Sequence, residues 1–192
     1  MKITRSLLIS LILMVVISAL YRIMPNRPWG FAPQAAIGLF SGAVFVKNKK
    51  WAFALPLISL FLSDLLYEAL YIYSNGSTLI KGFYDGQWVN YLLLAGITCF
   101  GFLINTRKIG NVAIAALSAP TAYFLVSNFL VWAAAGKGFG LGRPQTFNGL
   151  MLTYGDALPF YKNGLMSTVV FSALLFGIYY LISDRYIKKQ AA

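Results

Sequence analysis

Two carboxylates four residues apart, Asp64 and Glu68, stand inside an otherwise apolar run, LISLFLSDLLYEALYIY. The i, i+4 spacing puts both on one face of a helix. Two adjacent carboxylates in a low dielectric resist ionising together, so a cation or a proton must accompany them. Arg22 closes the preceding apolar run and Arg27 follows it. The expected arrangement is therefore an Arg22/Arg27–Asp64/Glu68 polar cluster. It would serve as a ligand or cation site, or as a structural ion pair locking the first and third helices, with Glu68 snorkelling to an interface.

Two further groups have the residue types for binding. Ser127-Asn128-Phe129-Leu130-Val131-Trp132 offers Asn128 as a ligand contact or as interhelical glue, with Trp132 at an interfacial level. Thr153 to Asn163 holds Tyr154, Asp156 and Lys162 in a stretch too polar and broken to span a bilayer and too apolar for a solvated loop. It reads as a short interfacial or re-entrant segment capping the outer mouth, or as a simple connector. Histidine is absent and Cys99 is the single cysteine, which removes zinc sites, Ser-His-Asp triads, Cys-His pairs and an internal disulfide. No cofactor, metal site or catalytic residue is expected, and the chain does not read as an enzyme.

The elements that position these groups follow from composition. Of 192 residues, 59% are hydrophobic and only 11% charged, and the mean hydropathy is +0.70. Disordered chains, coiled coils and water-soluble domains do not have these values. The net charge of +11 would suggest nucleic acid in a soluble protein. In a chain this apolar it reads as loops facing an anionic bilayer, and no nucleic-acid partner is expected. The sequence reads as one all-α transmembrane domain over residues 1–192, with spans near 6–23, 34–46, 51–73, 88–104, 112–135 and 165–182. Lys2 and Arg5 before the first span also fit a signal peptide, but no clear cleavage site follows. Pro25, Pro28 and Pro33 break the chain after it. Gly38-x-x-x-Gly42 gives the short second span a face that another backbone can approach. Gly76 and Ser77 mark a further break, and Pro56 and Pro120 fall inside spans.

Counting basic residues per loop gives ten on the side of the termini, including Lys2, Arg107, Arg185, Lys188 and Lys189. The other side has six: Arg22, Arg27, Lys81, Lys137, Arg143 and Lys162. The bias places both termini in the cytoplasm and the chain in the inner (cytoplasmic) membrane. Outer positive charge would suit an anionic ligand, or long irregular loops simply tolerate it. Tyr84-Asp85 and Tyr154-Gly155-Asp156 do not form an intramembrane protease pair, because Asp85 lies in a loop and Thr153 stands where glycine is needed. The alternating glycines 136–142 are not a phosphate loop, since no GK[ST] follows.

Several segments occur in a familiar order: Arg22-Ile23-Met24-Pro25, Leu62-Ser63-Asp64-Leu65-Leu66, Ser127 to Trp132, Ala157 to Asn163, and Ser172 to Gly177. Over nearly the whole chain this resembles an uncharacterised family of bacterial membrane proteins regarded as transport proteins. In size and six-helix plan that family is similar to the substrate-binding (S) subunits of energy-coupling-factor transporters. The resemblance implies capture of a small polar or anionic molecule in an outward pocket, and docking on an energising membrane partner. The S subunits carry an Ala-x-x-x-Ala docking face where this chain has Ser6-x-x-x-Ser10. No nucleotide-binding motif is present, so active transport would need a partner or an ion gradient. A structural or assembly subunit without a small-molecule ligand fits the Gly38/Gly42 face as well.

Overall fold

The computed structural model describes residues 5–75, 80–106 and 108–190. They form six α-helices and no strand: α1 (Arg5–Arg22), α2 (Gln34–Val44), α3 (Lys49–Tyr73), α4 (Gln87–Phe102), α5 (Ile109–Ala133) and α6 (Phe147–Gln190). Lys2, Gly76, Ser77 and Arg107 lie outside the described residues, as do the side chains of Arg5, Ser6, Arg185, Lys188 and Lys189. Three helices are long and apolar enough to cross a membrane: α3, α5 and the Phe147–Leu181 part of α6. The others are shorter. The 11 residues of α2 rise about 16 Å, roughly half the hydrocarbon thickness of a bilayer.

The first five helices fall on the expected spans to within a few residues. The sixth does not. The stretch expected to be a broken interfacial or re-entrant segment is the first half of α6, a continuous helix of 44 residues that runs through Pro159. A proline removes one N–H and crowds the carbonyl four residues earlier. Here that residue is Gly155, exposed and with nothing within 4 Å of where a Cβ would stand, so the turn has room to adjust. Hydroxyls along the helix bond to its own carbonyls, while Tyr154 and Asp156 bond to Leu125 and Arg143 outside it. Thr153 donates to the Gly149 carbonyl at 3.0 Å, and Ser167 and Thr168 both donate to the Gly164 carbonyl at 2.9 and 2.7 Å. A broken backbone in apolar surroundings would instead leave several groups without partners.

The short α2 is the centre of the packing and touches α3, α4, α5 and α6. Its glycines make this possible. A Cβ on Gly42 would stand 2.9 Å from the Gly101 Cα, and one on Gly101 would stand 2.8 Å from the Gly42 Cα. No side chain fits there, so α2 and α4 meet backbone to backbone. Leu39, Ile97, Ala119 and Phe176 form one apolar cluster beside this contact, and Leu11, Val15, Phe45 and Leu55 form a second between α1 and α3.

Polarity is inverted relative to a water-soluble bundle. Ser18, Ser41, Ser59, Ser63 and Thr98 are buried, whereas Ile114, Leu117, Leu125, Leu174, Ile178 and Leu181 are exposed. The interior hydroxyls bond locally: Ser41 donates to the Ala52 carbonyl at 2.8 Å and Thr98 to the Leu94 carbonyl at 3.0 Å. Only 39%, 28% and 22% of the three long apolar windows is buried inside the bundle, so most of their hydrocarbon faces outward.

Candidate functional site

At the end of the bundle where α1 and α3 finish, Arg22 forms an ion pair with Asp64. The sequence places the two within reach because α1 packs along α3. Arg22 also donates to Ser63 Oγ at 2.7 Å. Asp64 is only 1% exposed, and such a carboxylate must be fully bonded to be tolerated. It is: besides Arg22, it accepts from the Gln87 side-chain amide and from the Tyr91 hydroxyl at 2.7 Å.

These bonds continue outward from the ion pair. A carboxylate accepts only, so Gln87 must turn its Nε2 towards Asp64 and present its Oε1 on the other side. That oxygen accepts from Asn90 Nδ2 at 2.7 Å, which in turn fixes Asn90. Asn90 Nδ2 also donates to the Tyr84 hydroxyl at 2.8 Å, and Asn90 Oδ1 accepts from the Tyr123 hydroxyl at 2.7 Å. Tyr84 thus has its oxygen engaged and its proton available, whereas Tyr123 has donated its proton and retains an acceptor lone pair. No described group accepts the Tyr84 proton. Burial of part of this loop residue raises the phenol above its ordinary pKa, a shift that the Asn90 bond and the Arg22 charge oppose, so it stays a donor at neutral pH.

Arg22, Tyr84, Asn90 and Tyr123 all line one chamber of about 650 Å³, a size typical of small-molecule sites. Helical periodicity builds its walls. From α6 come Thr153, Asp156, Ala157, Phe160, Tyr161, Gly164, Ser167 and Thr168, three or four residues apart on one face. From α5 come Pro120, Tyr123, Phe124, Ser127, Asn128 and Val131 at the same spacing. Phe124 and Tyr161 stack across the two helices with ring centroids 4.5 Å apart. Phe139 and Leu141 of the glycine-rich loop close another side. Gly86, at φ +88°, lets the Phe139 ring lie against the backbone where a Cβ would collide.

Gln34, the first residue of α2, also lines the chamber. It is 7% exposed, and neither its Oε1 nor its Nε2 has a partner among the described residues. Both amide atoms are shielded from solvent, although buried carboxamides are nearly always bonded.

The expected site residues divide into two sets. Arg22, Asn128 and Asp156 line the chamber, with Asp156 paired to Arg143 at an exposed position. Asp64 stands behind the wall. The remaining five do not line it. Arg27 donates to the Arg22 carbonyl at 3.0 Å and to the Phe31 carbonyl at 2.6 Å, which folds the α1–α2 loop. Glu68 accepts from the Gly82 and Phe83 amides, both at 3.1 Å, and so pins the α3–α4 loop rather than sharing a cation with Asp64. Trp132 donates to the Pro144 carbonyl at 2.9 Å, Tyr154 donates to the Leu125 carbonyl at 2.9 Å, and Lys162 is exposed. Among the described residues no group of three His, Cys, Asp or Glu could hold a metal.

Sequence reasoning missed Gln34, Tyr84, Asn90 and Tyr123. The 153–168 and 120–131 face periodicities were the available signal for the walls. Nothing in the sequence marked Gln34, because its significance is the absence of a partner. A family model described as a family of unknown function, DUF6580, matches residues 2–191. No curated protein and no solved structure matches the chain.

Proposed function

The chain belongs to DUF6580, a family of unknown function, and from the pocket between its helices we propose that it is a membrane protein that binds a small polar molecule. One observation carries this reading: a cavity of about 650 Å³, large enough for such a molecule, has the polar side chains of Arg22, Tyr84, Asn90 and Asn128 among its apolar walls. The bilayer as solvent is supported by the exposed hydrocarbon and buried hydroxyls. In the finer reading all six helices form one transmembrane domain in the inner membrane with both termini cytoplasmic. The chamber then faces outward, because Arg22, Lys137 and Arg143 lie on the side with fewer basic residues.

The transport form of this reading is a role like that of the S subunits of energy-coupling-factor transporters, with energy supplied by a membrane partner. The alternative of an assembly subunit drew on the Gly38/Gly42 face. That face packs against α4 of the same chain, and the short second span on which the alternative also drew is surrounded by α3, α4, α5 and α6.

Native mass spectrometry of the detergent-purified chain tests the reading. The expected result is a co-purifying small molecule that the Arg22→Ala and Asp64→Asn variants lose. An empty wild-type chamber from several lipid and growth conditions would overturn it.

A further inference from the structure

The binding reading leaves the chemistry of the ligand open, and the bonding of one wall residue narrows it. Arg22 lines the chamber with its side chain 20% exposed. A guanidinium carries five N–H donors on three nitrogens. In Arg22 the bonds to Asp64 and to Ser63 Oγ both leave from Nη1. Nε and Nη2 carry the other three N–H groups, and none of these has a partner among the described residues. Nor are these two nitrogens shut off from solvent, as both amide atoms of Gln34 are. The Tyr67 ring lies against the guanidinium, its centroid 5.3 Å from Cζ. Asp64, Ser63 and Tyr67 thus fix the group by one end and one face, and its Nε–Nη2 edge stays open.

That edge has a defined complement. Its two parallel N–H groups match the two oxygens of a carboxylate. Charge agrees with this. Arg27, whose Nε donates to the Arg22 carbonyl, has no carboxylate partner among the described residues. The same end of the bundle carries Arg22, Arg27, Lys81, Lys137, Arg143 and Lys162 against Asp64, Glu68, Asp85 and Asp156, an excess of two positive charges. Its field therefore favours an anion. Asp156, the one acid in the wall, is paired to Arg143. Tyr84 and Leu141 are exposed, so this wall meets water and an entering anion is not stripped of its hydration. Because Asp64 already cancels much of the Arg22 charge, the site suits a monoanion better than a dianion.

We propose that the open Nε–Nη2 edge of Arg22 anchors a carboxylate, and that the ligand is a small monocarboxylic acid whose apolar body lies among Leu94, Ile97, Phe124 and Phe160. The proposal rests on the binding reading above but fails separately from it.

Calorimetry on the full chain in nanodiscs of zwitterionic lipid, corrected for empty nanodiscs, tests this. Three probes share one ring system: naphthalene-2-carboxylate, naphthalene-2-carboxamide and 2-naphthyl phosphate. The carboxylate is expected to bind at least about tenfold more tightly than the carboxamide, as a charge-assisted pair of hydrogen bonds requires, and more tightly than the phosphate. Arg22→Lys keeps a cation beside Asp64 but lacks the paired edge, so it should remove most of the preference over the carboxamide. The Arg143→Gln/Asp156→Asn double variant removes only the exposed pair and should keep that preference, and it decides should Arg22→Lys fail to fold. The carboxylate assignment is overturned if the carboxamide or the phosphate binds as tightly, if Arg22→Lys retains the preference, or if the double variant loses it. Each of these leaves the binding reading standing. If no probe binds, the co-purified molecule decides. One with a carboxylate supports the assignment, one without it overturns the assignment, and an empty chamber overturns both.

Discussion

Between Asp64 and Tyr84 stand two carboxamides, Gln87 and Asn90, and each admits one orientation because Asp64 can only accept. A buried ion pair thus dictates which atom a loop tyrosine turns towards the chamber. The pair is more than a lock between α1 and α3. It sets the donor and acceptor pattern of a wall that Arg22 lines and Asp64 stands behind.

Asp64→Asn should therefore have two effects. Removing one partner leaves the Arg22 guanidinium largely buried without a counter-ion, at a cost of about 3–5 kcal/mol. Reversible denaturation in mixed micelles should register that loss. An Asn side chain can also donate, so Gln87 is released to flip and the order of Asn90 and Tyr84 is lost. The Arg22→Met/Asp64→Leu double variant should recover much of the stability without restoring the wall. A double variant as unstable as the sum of the singles would contradict the pairing.

Tyr84 supplies a pH prediction. Its pKa is raised in the folded protein, with burial the first cause, above an ordinary value near 10.0. The sign follows from the neutral form being favoured in the fold. The contribution to stability is complete below pH 10 and fades as the pH climbs through the folded-state pKa. In an ultraviolet titration, wild type minus Tyr84→Phe should therefore show less than half a tyrosinate signal at pH 10. A half-titrated signal at that pH would place the phenol in bulk water instead.

The glycines of α4 separate packing from propensity. Gly101 meets Gly42 with no room for a methyl group, whereas nothing lies within 4 Å of a Cβ on Gly96. Gly101→Ala should destabilise by about 1–3 kcal/mol through forced separation of α2 and α4. Gly96→Ala, on the same helix, should be neutral or stabilising by up to about 1 kcal/mol. Equal effects at both positions would mean that the α2–α4 contact is looser than the backbone approach indicates.

How much of this was legible follows from what a sequence encodes. The first five helices were, because apolar run length and the prolines at 25, 28 and 33 act locally. The Arg22–Asp64 pair was too, since an acid inside one apolar run and a base closing another have few other ways to be satisfied. Glu68 was misread because its partners are the amides of Gly82 and Phe83, and backbone groups look alike in every sequence. The polar half of α6 was misread because proline and glycine were weighed as breakers without counting the face they share. Thr153, Ala157, Phe160, Gly164 and Ser167 repeat at helical spacing, and that repeat turns a supposed cap into a chamber wall.

Cys99 offers a direct test of the solvent. It is exposed, and it lies on one stripe of α4 with Trp88, Leu92, Gly96 and Leu103, all three or four residues apart. Trp88, Leu92 and Leu103 are 62%, 61% and 80% exposed, so this stripe is an outward apolar surface rather than a packed one. In water a charged reagent reaches an exposed thiol readily, whereas against acyl chains such a reagent cannot arrive. In intact proteoliposomes a sulfonated maleimide should therefore modify Cys99 at least about tenfold more slowly than after solubilisation in sodium dodecyl sulfate. A Lys137→Cys, Cys99→Ala variant reports the glycine-rich loop and should react at once if that loop faces the bath. Rapid modification of Cys99 in the intact membrane would place α4 against water, and the bilayer reading of the exposed stripe would have to be abandoned.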